Sequence, residues 1–225
     1  MLYIQMNTKM KNKLFVLPNE DKLWHEQASD NLCSFPHPFR VCFIAPPNAG
    51  KSLILKNILI QTQPPFEAIY LVHNDKDSAE YNNIDLTYFD DKIPTIDEFD
   101  STKKNLLIIE DIDFKNMKKT DKSILDRHMG CNSTHKNISI MLTAQDGFNV
   151  PPSIRRMCSV LCLWKGHDLT ALAIMSSRFG IKAKDLKYFF EKVATGKHDF
   201  IVIDTHRDGK LRIRKNLIEP VDYIL

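Results

Sequence analysis

Short runs of apolar residues alternate along this chain with segments in which apolar residues recur every three or four positions. Such runs are typical of strands buried on both faces of a parallel sheet, whereas the wider spacing is typical of helices. The runs predict strands at residues 39–45, 67–73, 105–110, 137–144 and 157–164. The spacing predicts helices at residues 51–61, 118–129, 167–179 and 184–192. Strands alternating with helices predict an α/β fold with a mainly parallel sheet flanked by helices.

Two further regions complete the predicted fold. Residues 74–104 are rich in Asp and Asn and predict one short strand and one short helix. Residues 199–205 and 211–214 are joined through Arg207-Asp208-Gly209, a combination typical of a hairpin. A length of 225 residues suits one large domain, with or without a small appendage.

The composition is that of a globular protein, with 43% hydrophobic and 26% charged residues, and it argues against disorder or a fibrous repeat. The longest apolar runs fall far short of the ~20 residues that cross a membrane, so we expect no membrane span and no signal peptide. Five scattered cysteines favour buried thiols in a reducing compartment over a disulfide framework. Cys158 and Cys162, four apart in a predicted strand, are expected on one face of the sheet.

The net charge of +3 is unevenly distributed. Residues 150–225 carry 14 bases against 8 acids. A nucleic-acid partner is one interpretation of this imbalance, and a solvated, lysine-rich surface is the other. Charge alone favours the solvated surface, because many nucleic-acid-binding domains are far more basic.

The first predicted strand runs directly into Ala45–Ser52 (APPNAGKS), and a predicted helix follows at once. This arrangement matches the phosphate-binding P-loop, G-x-x-x-x-G-K-[ST], with Ala45 in place of the first glycine. Backbone N–H groups and the amino end of the helix attract phosphate, while Lys51 would bridge the β- and γ-phosphates and Ser52 would bind Mg²⁺. The predicted ATP-binding residues are Pro47, Asn48, Ala49, Gly50, Lys51, Ser52 and Leu53. The alternative is a helix start that merely uses glycine and serine.

An apolar strand, Leu106–Ile109, ends in the carboxylates Glu110 and Asp111. Ligands of open α/β sheets bind at the carboxyl ends of the strands. Glu110 is therefore expected to hold Mg²⁺, directly or through a water ligand, and Asp111 to act as general base toward the attacking water. The order of the two acids is the reverse of the usual one, which leaves the division of roles between them open. A strand that simply ends in exposed acids is the alternative.

The predicted strand at residues 138–144 is followed by Gln145. If this strand lies between the P-loop strand and the acidic strand, Gln145 would contact the γ-phosphate and orient water. The alternative is a glutamine that merely begins a loop.

Together these motifs make the chain resemble the poxvirus-type genome-packaging ATPases of large DNA viruses, virophages and internal-membrane phages, within the FtsK–HerA division of P-loop motors. The resemblance covers about residues 38–164. It is carried by Pro38-Phe39-Arg40, the P-loop, Leu106–Asp111, His135–Gln145 and the segment from Val150-Pro151 to Ile154-Arg155. The P-loop and the acidic strand are common to P-loop enzymes, and the stretch from Gln145 to Arg155 is the more specific part.

The resemblance implies a RecA-like ATPase domain at residues 38–225 after an N-terminal extension at residues 1–37. It also implies a ring that drives double-stranded DNA into a capsid using ATP and Mg²⁺. Capsid or portal-vertex proteins would be partners, in the host cytoplasm or a viral factory, with association with the virion as an alternative.

An arginine acting on the neighbouring subunit is also implied by the resemblance. Thr134 stands where the family often has this arginine, which leaves Arg127, Arg155 and Arg156 as candidates, Arg155 first. The alternative is that Arg155 and Arg156 cap a loop or contact DNA phosphates.

Two other functions remain open from the residues themselves. A nucleoside or nucleotide kinase would need an arginine-rich lid, and the segments after Trp164 predict two helices and a hairpin instead. A nucleotide-dependent DNA-binding protein would bind ATP through the altered P-loop without hydrolysing it.

Overall fold

The computed structural model describes residues 31–75, 81–110, 112–166, 168–209 and 212–222. Within them the strands are β1 (Arg40–Ile44), β2 (Ala68–His73), β3 (Tyr88–Asp90), β4 (Asn105–Glu110), β5 (Ile138–Ala144), β6 (Val160–Trp164), β7 (Phe200–Asp204), β8 (Ile213–Lys215) and β9 (Glu219–Pro220). They form one sheet in the order β3-β2-β4-β5-β1-β6-β7-β8-β9. Pairing is parallel from β3 to β6 and antiparallel from β6 to β9. The mainly parallel sheet and the terminal hairpin are therefore confirmed.

Helices cover both faces of this sheet. They are α1 (Lys51–Gln61), α2 (Lys119–Arg127), α3 (Ser133–His135), α4 (Pro152–Met157), α5 (Leu169–Ser177) and α6 (Ala183–Tyr188). A 3₁₀ turn lies at Ile96–Glu98, and π-helical turns follow α2 and α6 at His128–Asn132 and Phe189–Val193. The short strand and short helix predicted for residues 74–104 correspond to β3 and the 3₁₀ turn.

Strand alternation divides the interior into two cores. The α1-side core contains the odd-numbered residues of β1, such as Phe43, together with Leu55 and Ile58 of α1. The opposite core holds Leu125 of α2 and Leu172 of α5. Burying apolar side chains on both faces explains why the central strands are near-continuous apolar runs.

The residues on either side of helix α1 explain where it begins and ends. Gly50, directly before it, has φ +97°, a left-handed conformation that glycine adopts without steric cost. At its other end, the hydroxyl of Thr62 donates to the carbonyl oxygen of Ile58 at 2.7 Å. Pro64 and Pro65 follow, and proline cannot continue a helix.

Strand β6 begins three residues later than predicted, because α4 occupies Pro152–Met157 before it. The expectation for the two cysteines is therefore wrong. Cys158 precedes the strand and packs in the core on the α2 side, whereas Cys162 packs in the α1-side core. All five cysteines are free thiols, and Cys42, Cys158 and Cys162 are buried.

Residues just before β1 pack against the sheet. Phe35 and His37 are buried, and His37 Nδ1 lies 2.7 Å from the hydroxyl of Ser139 in β5. Residues 1–30 lie outside the described part of the chain, and the division at residue 38 stays a prediction. No helix in the described segments is both long and apolar enough to span a bilayer.

Candidate functional site

The loop between β1 and α1 has the geometry of a phosphate-binding loop. Ala45, at the position of the missing glycine, lies outside the left-handed region, so its methyl group causes no backbone strain. Its side chain is buried in the α1-side core, and its N–H donates to the carbonyl oxygen of Ala144 at 3.1 Å. Asn48 and Gly50 take the positive φ angles that curl the loop, +58° and +97°.

Lys51 is held beneath this loop. Its ammonium group donates to the carbonyl oxygens of Ala45 at 3.1 Å and Pro46 at 3.3 Å. The residue is only 8% exposed. The positive charge is thus fixed next to the backbone N–H groups of the loop and the amino end of α1, where an anion is favoured.

A cavity of about 410 Å³ opens above the loop. Its lining consists of Pro47, Asn48, Ala49, Gly50, Lys51, Ser52, Leu53 and Gln145. These are all seven predicted ATP-binding residues together with the residue after β5. Strand β5 lies between β4 and β1 in the sheet, as the prediction for Gln145 requires. The volume is in the range of small-molecule sites.

The acidic strand meets the P-loop helix at one hydrogen bond. The hydroxyl of Ser52 donates to Oε1 of Glu110 at 2.6 Å. Alternate residues of a strand lie on the same face of a sheet. Glu110 therefore lies on the same face as Leu106 and Ile108, which is the α1 side. Its carboxylate is 2% exposed, so it depends on hydrogen bonds for stabilisation.

A hydroxyl and a carboxylate in contact are the hard oxygen ligands that Mg²⁺ prefers, with the remaining positions taken by water or phosphate. The described residues contain no cluster of three or more His, Cys, Asp or Glu side chains able to hold a metal on their own. The Ser52–Glu110 pair therefore fits a Mg²⁺ ion that arrives with a nucleotide better than a permanently bound metal.

Sequence reasoning missed Tyr81, whose hydroxyl donates to Oε2 of Glu110. The ring is 2% exposed and belongs to the α1-side core. No signal in the sequence singles out this tyrosine, because it lies in the polar stretch before β3 and approaches β4 only in the folded chain. Asp111, the predicted general base, lies outside the described residues.

The three candidate arginines lie on the opposite side of the sheet from α1. Arg127 ends α2 and is exposed. Arg155 and Arg156 lie in the last turn of α4; Arg156 is exposed and Arg155 is partly buried. The Nε atom of Arg155 is buried, and it has no hydrogen-bond partner among the described residues.

Helix α4 leads away from the P-loop edge of the sheet. Two residues after its end, the N–H of Ser159 donates to the carbonyl oxygen of Arg40 at 2.8 Å, at the amino end of β1. The P-loop leaves the carboxyl end of the same strand. The two α4 arginines therefore lie away from the cavity at the P-loop of their own chain.

No protein-family model and no curated protein sequence matches this chain. Solved structures do match it. The DNA-packaging ATPase B204 from Sulfolobus turreted icosahedral virus aligns with a TM-score of 0.58 and 14% identity, over 83% of this chain and 100% of that one. The genome-packaging NTPase B204 from Sulfolobus turreted icosahedral virus 2, in complex with ATPγS, gives 0.52 and 13%, over 79% and 95%.

The conjugation coupling protein TcpA of pCW3, also with ATPγS, aligns with a TM-score of 0.52 and 14% identity, over 74% of this chain and 57% of that one. Identities of this order establish a common fold and no more. At that level the resemblance predicted from the motifs is confirmed: the chain has the P-loop fold shared by viral packaging ATPases and a conjugation coupling protein.

Proposed function

We propose that this chain is an ATP-hydrolysing motor that moves double-stranded DNA into a viral capsid. The observation that carries the proposal is the hydrogen bond between Ser52 and Glu110 beside a cavity lined by residues 47–53 and Gln145. An anion-binding loop, a buried cation and a carboxylate beside a hydroxyl are the parts that phosphoryl transfer from a nucleotide requires.

In this mechanism the chain binds the triphosphate and orients it. The loop N–H groups surround the β-phosphate, and the Lys51 ammonium moves from the loop carbonyls to the β- and γ-phosphates. Ser52 and Glu110 would hold Mg²⁺, which, when bound, neutralises charge that develops on the phosphate oxygens.

The water that attacks the γ-phosphate needs a base and an orienting group. Asp111 follows the buried strand β4 directly and is assigned the role of base. Gln145 lines the cavity together with the loop and is assigned contact with the γ-phosphate, since a neutral amide donates to phosphate and accepts from water.

Assembly and DNA binding make up the rest of the proposal. Arg155, which lies away from its own cavity, is assigned to the nucleotide of a neighbouring subunit in a ring, with Arg156 and Arg127 as the other candidates. The excess of bases over acids in residues 150–225 by itself favours a solvated surface, and it is compatible with contact with DNA phosphates. The shared fold with B204, described as a DNA-packaging ATPase, supports the same assignment.

The test is phosphate release from ATP, measured against concentrations of duplex DNA and of protein. We expect DNA to stimulate release, and we expect the specific rate to rise with protein concentration because rings form. Phosphate transfer to an added nucleoside would indicate a kinase instead. Binding of ATP without release at any DNA concentration would indicate a non-hydrolysing DNA-binding protein.

Lys51→Ala is expected to lower the rate by about 10²–10³-fold, because it removes the cation that stabilises the transferred phosphate. The matched control is Lys92→Ala, which removes an exposed lysine next to β3 and is expected to leave the rate unchanged. Equal rates for Lys51→Ala and the wild-type protein would refute the P-loop assignment.

A further inference from the structure

Glu110 accepts a hydrogen bond on each of its carboxylate oxygens. Ser52 donates to Oε1 from α1, and Tyr81 donates to Oε2 from the segment between β2 and β3. We infer that Tyr81 is a positioning residue that orients Glu110 toward the Mg²⁺ of a bound nucleotide. The inference rests on the proposed function and adds a residue to it.

Both partners in this contact are buried, and each is 2% exposed. A buried carboxylate oxygen without a donor costs about 1–3 kcal/mol or more, so the Tyr81 hydroxyl replaces solvation that the folded chain has removed. With one donor on each oxygen, the carboxylate has a single preferred orientation. The oxygen bonded to Ser52 then faces the P-loop and the oxygen bonded to Tyr81 faces the core.

Further contacts hold the ring and the backbone of Tyr81. The ammonium of Lys56 lies 5.2 Å from the ring centroid, a distance at which a cation attracts an aromatic face. Lys56 follows Ser52 by four residues on α1, so both contacts come from the same side of that helix. The backbone carbonyl oxygen of Tyr81 accepts from the N–H of Ile84 at 2.9 Å, which fixes the local turn of the chain.

Helix α1 thus contacts Glu110 directly through Ser52 and indirectly through Lys56 and Tyr81. Outer partners of this kind orient a metal ligand, and their loss typically costs 10–100-fold in metal affinity or activity. Tyr81 does not lie among the residues that line the cavity, so we expect it to affect the metal and leave metal-free nucleotide binding unaffected.

The experiment measures how much Mg²⁺ strengthens binding of a non-hydrolysable ATP analogue, by titration calorimetry with Mg²⁺ and with EDTA. For Tyr81→Phe we expect this gain in affinity to fall by about 10–100-fold. Affinity in EDTA should stay at the wild-type value. The Mg²⁺ concentration that gives half-maximal ATP hydrolysis should rise by the same factor by which the Mg²⁺-dependent gain in affinity falls.

Tyr70→Phe is the matched control. Tyr70 is also buried, and its hydroxyl donates to the carbonyl oxygen of Glu98 at 2.7 Å, away from Glu110. This variant should retain the full Mg²⁺-dependent gain. A second test variant, Lys56→Met, removes the cation beside the ring and should lower the gain by about two- to fivefold.

An unchanged gain in Tyr81→Phe overturns the inference, and so does a loss of affinity that is equal in Mg²⁺ and in EDTA. If only one of the two test variants folds, an unchanged gain in that variant overturns it as well. These outcomes do not contradict the proposed function if the wild-type protein hydrolyses ATP and Lys51→Ala has lost that activity. A wild-type protein that neither hydrolyses ATP nor responds to Mg²⁺ would refute both.

Discussion

At the scale of single residues, Gly50 determines the shape of the phosphate loop. Its φ of +97° turns the chain directly before α1, which begins at Lys51 beside the cavity. A Cβ at this position would meet no atom within 4 Å, so the space around Gly50 is open and only the backbone conformation requires glycine. Ala45 differs from Gly50 in both respects. Its backbone is not left-handed, so a side chain causes no strain, and its methyl group is packed in the α1-side core.

Gly50→Ala is expected to lower the free energy of unfolding by about 1–2 kcal/mol, the cost of a left-handed conformation for a residue with a side chain. It should also weaken nucleotide binding, because the loop can relieve the strain only by changing shape. Denaturant unfolding and titration with an ATP analogue measure the two effects.

Gly166→Ala provides the control for this substitution. A Cβ on Gly166 would also meet open space, but its backbone is not left-handed. We expect its stability to change by less than about 0.5 kcal/mol. Equal losses in the two variants would show that backbone strain at Gly50 is not the cause.

At the scale of elements, the C-terminal hairpin is joined to the sheet through a buried ion pair. Nη2 of Arg214 in β8 donates to Oδ2 of Asp204 in β7 at 3.0 Å, and neither side chain is exposed. Nε of Arg214 donates to the carbonyl oxygen of Leu217 at 2.6 Å. Burial raises the pKa of Asp204, but the hydrogen bond from His206 and the charge of Arg214 outweigh it and hold that pKa below its ordinary value.

Arg214→Met is expected to cost about 3–5 kcal/mol in unfolding free energy at pH 7, because it leaves the Asp204 carboxylate buried without its partner. The pKa of Asp204 is lower in the folded chain, so the stabilisation is complete above about pH 4 and is lost as the pH falls through the folded value. Without Arg214 the pKa of the buried Asp204 carboxyl is higher in the variant than in the wild type. The gap in stability between wild type and variant should therefore begin to narrow where the variant's carboxyl is protonated, and it should go on narrowing as the pH falls to that of the wild-type carboxyl.

Urea unfolding at several pH values measures this gap. Arg178→Met, which removes an exposed arginine, should leave stability unchanged across the same range. A gap for Arg214→Met that stays constant from pH 7 to pH 3 would contradict the assignment of the effect to the Asp204 charge.

At the scale of the whole molecule, the relation of α4 to the sheet bears on assembly. The six residues of α4 span about 9 Å, and the helix leads toward the amino ends of β1 and β6. The cavity lined by the P-loop lies at the carboxyl ends of the strands. An arginine in the last turn of α4 therefore acts on a nucleotide only if that nucleotide belongs to another copy of the chain.

Arg155→Ala is expected to reduce ATP hydrolysis by about 10³–10⁵-fold, the usual effect of losing an arginine that stabilises the transferred phosphate. Asp111→Asn is expected to be inactive through loss of the base. Mixing the two variants should restore part of the activity, since some interfaces then pair an intact arginine with an intact nucleotide site.

Arg156→Ala and Arg127→Ala are each mixed with Asp111→Asn, and ATP hydrolysis is measured again. The variant whose activity recovers in the mixture identifies the arginine that acts between subunits. Recovery with Arg156→Ala alone would transfer the role to that residue. No recovery in any mixture would contradict hydrolysis shared between subunits.

Much of the fold could be predicted from local pattern. The apolar runs located β1, β2, β4 and β5 to within a residue at each end. Helix α4 was not predicted, because its six residues are too few to show helical spacing and two prolines introduce it. Strand β9 was also missed, since two residues carry no alternation.

The sequence by itself determined the parts of this protein that depend on neighbouring residues: the P-loop, its helix, the apolar strand that ends in Glu110 and the apolar strand that precedes Gln145. Backbone hydrogen bonds and the conformational freedom of Gly50 act over a few residues, so their pattern is visible in the chain. Only the tertiary structure decided that β5 lies between β4 and β1 and that Ser52 meets Glu110, 58 residues away. It also brought Tyr81 to the same carboxylate, because contacts between distant residues are chosen by the packing of the sheet and helices together.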